Sequence, residues 1–253
     1  MSHQINEENM AGAGAFFLPG LSLRWYSQLD STNSLALIEP GLPGGTVIAA
    51  DSQWAGRGRL GRNWLSPQGL NLYLSLVLYP QLPREHWGGF SLAAGVGLAQ
   101  GLGELDLHPR IKWPNDILWQ GIKMAGILLE TKEQRLVVGA GVNVNQEEFP
   151  LGLHATSIRI ATGIAWRRDL LLAVFSREIY RWCMLWEQGL FDQVISAWRQ
   201  HDSVLGQQVT IHRGEEAIEG TAVDVESSGA LVVEDRHAFR HVLHSGEVSF
   251  RKN

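Results

Sequence analysis

Leu21, Leu23 and Trp25 alternate with polar neighbours, the period of two that marks a half-buried strand. Asp30-Ser31-Thr32-Asn33 comes next, a run of side chains that cap helices, ahead of the short apolar segment Leu35 to Ile38, so a strand-to-helix turn is predicted there. Val47 to Ala50 reads as a buried strand and Asn71 to Tyr79 as a longer one. Over Phe90 to Leu105, alanine, leucine and glycine recur at helical spacing, which predicts a helix able to pack closely on a sheet. Ile117 to Trp119, a Gln120-Gly121 turn and Met124 to Leu129 predict a hairpin or two short strands. Leu136 to Val144 predicts another, with glycines at 139 and 141 where side chains would obstruct something.

From Asp169, read as an N-cap, Leu171, Leu172, Phe175, Ile179, Trp182 and Trp186 trace one face of a helix ending at Gly189, and a second helix follows to residue 201. The texture then changes. Val209 to Ile211, Gly220 to Val225, Ala230 to Val233, His241 to Leu243 and Val248 to Phe250 read as short strands separated by turn residues, the pattern of a small barrel appended to a larger core. The predicted organisation is a loose tail over residues 1–20, a main domain over 21–202 and a β-rich domain over 203–253.

At 253 residues the chain can bury a sizeable core, and 45% apolar with 19% charged residues is ordinary for a globular protein. The net charge of −5 argues against a protein that coats nucleic acid, since phosphate-backbone binding needs a basic face. The lone Cys183 lies in an apolar helical pattern and reads as a buried thiol in a reducing compartment. No stretch reaches the roughly 18 apolar residues of a membrane helix, and Glu7 and Glu8 precede the short apolar run after them, unlike a signal peptide. A cytoplasmic protein is expected.

One segment carries concentrated chemistry: Gly56-Arg57-Gly58-Arg59-Leu60-Gly61-Arg62, directly after a buried strand. Glycines let backbone N–H groups approach an anion, and arginine offers a planar fork of donors matched to phosphate or carboxylate oxygens. Taken alone it is equally a solvated basic loop. Its neighbours change that reading. In order and spacing, Asp30-Ser31-Thr32-Asn33, Gln53 through Trp64, Lys112-Trp113-Pro114-Asn115-Asp116 and Lys123-Met124-Ala125-Gly126-Ile127-Leu128 resemble the biotin protein ligases. The likeness continues through Gly141-Val142-Asn143 and Gly246-Glu247-Val248-Ser249.

The resemblance implies an α+β fold, a mixed-sheet catalytic domain of the biotin/lipoate ligase type followed by a small SH3-like β-barrel. It implies two steps: biotin and MgATP give biotinyl-5′-adenylate, and the acyl group passes to a lysine of a biotin carboxyl carrier domain. Lys123 and Arg59 are the implied catalytic cations. Ser31, Thr32, Asn33, Gln53, Arg57, Gly58, Arg59, Trp64 and Lys123 are the implied biotin contacts. Arg57, Gly58, Arg59, Trp64, Lys112, Asn115, Lys123 and Asn143 are the implied ATP or adenylate contacts. Asp116 is a candidate for Mg²⁺, because magnesium takes carboxylate and phosphate oxygens; turn capping is its alternative. Ser31 can also cap a helix, Lys112 can equally be a structural or phosphate-facing cation, and Lys123 read without its motif is a strand-edge cation.

Leu60 stands where the family often has arginine, and Trp54 replaces a polar residue beside Gln53. The residues before Asp30 are too few for the winged helix-turn-helix of bifunctional members, so a single-function ligase without DNA binding, and with a homodimer as the favoured assembly, is expected. A lipoate or octanoate transferase of related fold and a non-enzymatic biotin or adenylate binder are the competing readings.

Overall fold

A computed structural model describes residues 11, 19–214 and 216–250. The tail expected over residues 1–20 lies almost wholly outside them. Strands β1 (Ser22–Tyr26), β2 (Thr46–Ala50), β3 (Leu72–Leu78), β4 (Arg110–Lys112), β5 (Asp116–Trp119), β6 (Ile122–Lys132) and β7 (Arg135–Val142) form one mixed sheet in the order β1-β2-β3-β7-β6-β5-β4. Only β1 and β2 run parallel; the remaining neighbours are antiparallel. The predicted hairpin is β5–β6, turning at Gln120 and Gly121 with both φ positive (50° and 80°), as a tight two-residue hairpin turn requires.

One face carries α2 (Phe90–Gly103), α4 (Arg168–Glu187) and α5 (Phe191–His201) over the larger apolar core, which includes Trp25, Leu74, Phe90, Phe175 and Trp198. The glycines of α2 meet a helix as well as the sheet. A Cβ on Gly97 would lie 2.6 Å from the backbone of Ile179 and one on Gly101 2.7 Å from the Phe175 ring, so they admit α4, while Gly95 faces Ile111 and Ile127 of the sheet. The N-cap of α4 is Arg167, not Asp169; Asp169 sits in the first turn and accepts from the Arg167 guanidinium, where its charge suits the helix dipole. Burial pushes the Cys183 thiol up, consistent with an inert core residue.

The opposite face carries α1 (Thr32–Ile38) over a smaller core of Leu29, Leu35, Ala36, Ile48, Val77 and Val137. After α3 (Ile158–Thr162), α4 and α5, the five predicted strands appear as β8 (Gln208–Arg213), β9 (Glu216–Val225), β10 (Leu231–Glu234), β11 (Arg240–Leu243) and β12 (Glu247–Phe250). They pair in the order β11-β10-β9-β8-β12, antiparallel throughout. This sheet touches the first at defined points. The β9–β10 turn abuts the chain before α2, where a Cβ on Gly229 would lie 2.7 Å from Gly89 Cα, and Trp113 Nε1 donates to Gly229 O (3.1 Å). Among the described residues no helix is long and apolar enough to cross a membrane.

Candidate active site

Strand register builds the floor of the site. Ser75, Gly139 and Leu128 stand opposite one another across β3, β7 and β6, and Tyr73, Gly141 and Gly126 form the next row of the same face. The row beyond, Val77 and Val137, is covered by α1. Glycine at 126, 139 and 141 lowers the floor where α1 ends, and a cavity of about 580 Å³ opens beside it. The obstruction foreseen for Gly139 and Gly141 is real. A Cβ on Gly139 would fall 2.2 Å from Asn33 Oδ1, and one on Gly141 2.4 Å from the Trp64 ring.

One end of the cavity is neutral and polar. Ser31 is the N-cap of α1 by backbone conformation, yet its side chain makes no capping hydrogen bond. Gln53 caps the helix instead, since its Oε1 accepts from Thr32 N (2.8 Å), while its Nε2 donates to Ser66 Oγ (2.9 Å). The Ser31 hydroxyl therefore lines the cavity without serving the helix. Asn33 is spent on the protein, donating to Leu128 O and Glu130 Oε2 and accepting from Ser75 Oγ. Burial pushes the Tyr73 phenol well up, so it stands as a neutral hydroxyl donating to Pro67 O (3.0 Å).

The other end is cationic. Lys123 Nζ lies 2.6 Å from Asp116 Oδ1 and 5.5 Å from the Trp64 ring centre, and Arg59 donates to Asn115 Oδ1 (3.1 Å). Arg62 pairs with Glu247 (2.8 Å), and Lys112 lies over the Phe250 ring (5.3 Å). Burial holds the pKa values of both Lys112 and Arg59 below their usual ranges, only partly offset by Asp116 and Glu247. Four cations thus share two carboxylates, a surplus that an anion would neutralise. Arg57 is aimed elsewhere: its guanidinium donates to Ser34 Oγ and Glu130 Oε2, both at 2.8 Å.

All thirteen residues singled out in the sequence, Ser31, Thr32, Asn33, Gln53, Arg57, Gly58, Arg59, Trp64, Lys112, Asn115, Asp116, Lys123 and Asn143, line this one cavity. Gly58 has extended backbone (φ −116°), and an added Cβ would meet nothing nearer than 3.4 Å, so the protein's own packing does not demand glycine there. Leu60, by contrast, holds φ 56° with its side chain exposed, a conformation that costs a branched residue energy. Asn143 donates to Thr156 O (3.0 Å) and pins the segment that returns over the site. That segment adds lining residues the sequence does not announce, Phe149, Leu153 and His154, delivered by a single bridge between Lys123 and Ala155. Among the described residues no group of three histidines, cysteines or carboxylates could hold a metal ion, and Asp116 is the carboxylate that Lys123 pairs with.

A cavity polar at one end and rich in cations at the other suits a ligand that carries an anionic group. Residues 25–147 match the biotin/lipoate A/B protein ligase family, and residues 204–251 match the biotin protein ligase C-terminal domain. The bifunctional ligase/repressor BirA of Escherichia coli is 34% identical over 92% of this chain and 75% of its own length. The biotin–[acetyl-CoA-carboxylase] ligase of Paracoccus denitrificans is 34% identical over 88% and 98%. A biotin protein ligase from Aquifex aeolicus, solved with biotin and ATP, superposes with TM-score 0.81 at 32% identity, covering 92% of this chain and 99% of that one. The chain belongs to the biotin protein ligases.

Proposed function

We propose that this protein joins biotin to a lysine of a biotin carboxyl carrier domain in two steps. A carboxylate oxygen of biotin attacks the α-phosphorus of ATP and pyrophosphate leaves, giving biotinyl-5′-adenylate. The ε-amine of the carrier lysine then attacks the acyl carbon, AMP leaves, and the amine gives up a proton. One observation carries this reading: a single cavity has neutral donors and acceptors at one end and a surplus of partly buried cations at the other. A ureido ring needs the first, and two reacting anions need the second.

On this reading Ser31, Thr32 and Gln53 meet the ureido group, and Asn33 supports them from behind. Lys123 and Arg59 stabilise charge at the carboxylate and α-phosphate, joined by Lys112 and Asn115. Trp64 and Asn143 pack on the adenylate, and Arg57 and Gly58 shape the loop that closes over it. Magnesium enters as part of the MgATP substrate. It keeps several waters and binds through phosphates plus one or two carboxylates, a demand that one Asp116 fits. Residues 21–202 form the catalytic domain and 203–253 the accessory β domain, which lends Glu247 and Phe250 to the cavity. A carrier domain of a carboxylase and a second copy of this chain are the macromolecular partners.

The lipoate reading is disfavoured by the C-terminal match and by a polar wall that a dithiolane would leave unpaired. Pyrophosphate release from MgATP tests the first step: it should require biotin, and release that lipoate supports as well as biotin does would reject the assignment.

A further inference from the structure

Glu130 lies on β6 one row beyond the cavity floor, yet it ends a chain of hydrogen bonds that begins on the cavity wall. Its Oε2 accepts from Asn33 Nδ2 (2.8 Å) and from Arg57 (2.8 Å). The other acceptor beside Asn33 Nδ2 is Leu128 O (3.3 Å). With a carboxylate and a carbonyl at that end of the amide, only its nitrogen can sit there, so Oδ1 must face Ser75 Oγ, 2.5 Å away. An amide oxygen cannot donate, so the single Ser75 proton goes to Oδ1. Thr32 Oγ1, 2.8 Å from Ser75 Oγ and 3.2 Å from Gln53 Oε1, then gives its own proton to one of those two oxygens. Either way its proton is used inside the protein, and a lone pair is left for the cavity that Thr32 lines.

We propose that Glu130 is a positioning residue for ligand selection, which through Asn33 and Ser75 fixes Thr32 as a hydrogen-bond acceptor and so selects a ligand that presents an N–H donor. The inference rests on the biotin reading of the site, whose ureido ring supplies such donors. Glutamine at 130 can turn its own N–H toward Asn33. The Asn33 amide is then free to flip, the Ser75 proton turns to Thr32, and Thr32 loses one of the two internal acceptors that hold its own proton away from the ligand.

Calorimetric titration of biotin and, separately, of MgATP into wild type, Glu130→Gln, Ser75→Ala and the double variant tests this. Wild type binding no biotin would reject the reading of the site itself. Given that it binds, Glu130→Gln should weaken biotin roughly tenfold to a hundredfold, the range for a misdirected buried hydrogen bond, and leave MgATP unchanged. In the Ser75→Ala background the chain is cut, so Glu130→Gln should add almost nothing. Three results overturn the proposal: wild-type biotin affinity in Glu130→Gln, an equal loss for MgATP, or a Glu130→Gln effect that persists without Ser75 and therefore runs through Arg57 and its loop. If Glu130→Gln does not fold, Glu130→Asp takes its place in the same cycle.

Discussion

Trp64 and Gly141 are two halves of one feature: a Cβ on Gly141 would lie 2.4 Å from Cε2 of the indole and 2.5 Å from its Nε1. The ring rests in a notch that β6 and β7 leave open with glycine, and its N–H is buried without a hydrogen-bond partner. Gly141→Ala should push the ring into the cavity. We expect a stability loss of about 1–3 kcal/mol, the usual cost of overpacking, and adenylate formation reduced at least about tenfold, since a small misplacement of a ligand-packing group can cost more than that. Gly103→Ala is the control. Nothing lies within 4 Å of its added Cβ, so its melting temperature should hold or rise slightly.

Lys123 is held 2.6 Å from Asp116, so its charge is already oriented before any ligand arrives. Lys123→Gln should lower the rate of adenylate formation by about 10² to 10³, the typical loss on removing one preorganised electrostatic group. Transfer from separately supplied biotinyl-adenylate should suffer less. Rapid-quench measurement of each step on its own checks the difference.

Two arginine pairs set the scale for ionic effects on stability. Arg168 and Asp51 are both largely buried, 2.8 Å apart, with Trp25 Nε1 as a further donor to the same carboxylate oxygen (3.1 Å). Arg168→Ala removes one partner of a largely buried ion pair and should cost about 3–5 kcal/mol. Arg62 and Glu247 are about half exposed at the same separation, and Arg62→Ala should cost no more than about 1 kcal/mol of stability, less still at high salt. Chemical denaturation of both variants tests the contrast.

His201 ties the end of α5 to the chain before β4, its Nδ1 3.3 Å from Pro109 O and its Nε2 3.5 Å from Gln100 Nε2. A neutral ring with its proton on Nδ1 satisfies both contacts. Burial, helped by Arg110 and His108, lowers its pKa below the ordinary histidine value of 6.5. Above that value folded and unfolded forms are both neutral and nothing is lost. As pH falls through it the unfolded chain takes the proton first, and stability declines down to the folded-state pKa. Melting temperature should therefore drop as pH falls below about 6.5 in wild type and drop less in His201→Gln.

The contacts that sequence discloses and those it hides differ in a physical way. The 31–33 turn, the 56–62 loop, Lys112 to Asp116 and Lys123 are chemistry-bearing clusters, compact in sequence and legible for that reason. Ser75 is one hydroxyl in the apolar run Leu72 to Leu78, and its meaning depends on which residues of β7 and α1 stand across from it. Glu130 meets Asn33 across 97 residues, a separation no local pattern encodes. The cap of α1 has the same cause: it comes from Gln53, 21 residues after Thr32, and not from the adjacent serine. The strands, whose signal is local alternation, emerged within a residue or two of expectation at most ends; β6, which runs on to Lys132, and β9, which begins at Glu216, are the exceptions.

Whether one cavity performs both activation and transfer is tested most directly by the intact mass of a biotin carboxyl carrier domain incubated with this protein, biotin and MgATP. A gain of one biotinyl group on the carrier lysine is expected, dependent on both substrates and abolished by replacing that lysine. No mass gain under conditions where biotin and MgATP both bind, or an equal gain with lipoate in place of biotin, would contradict it.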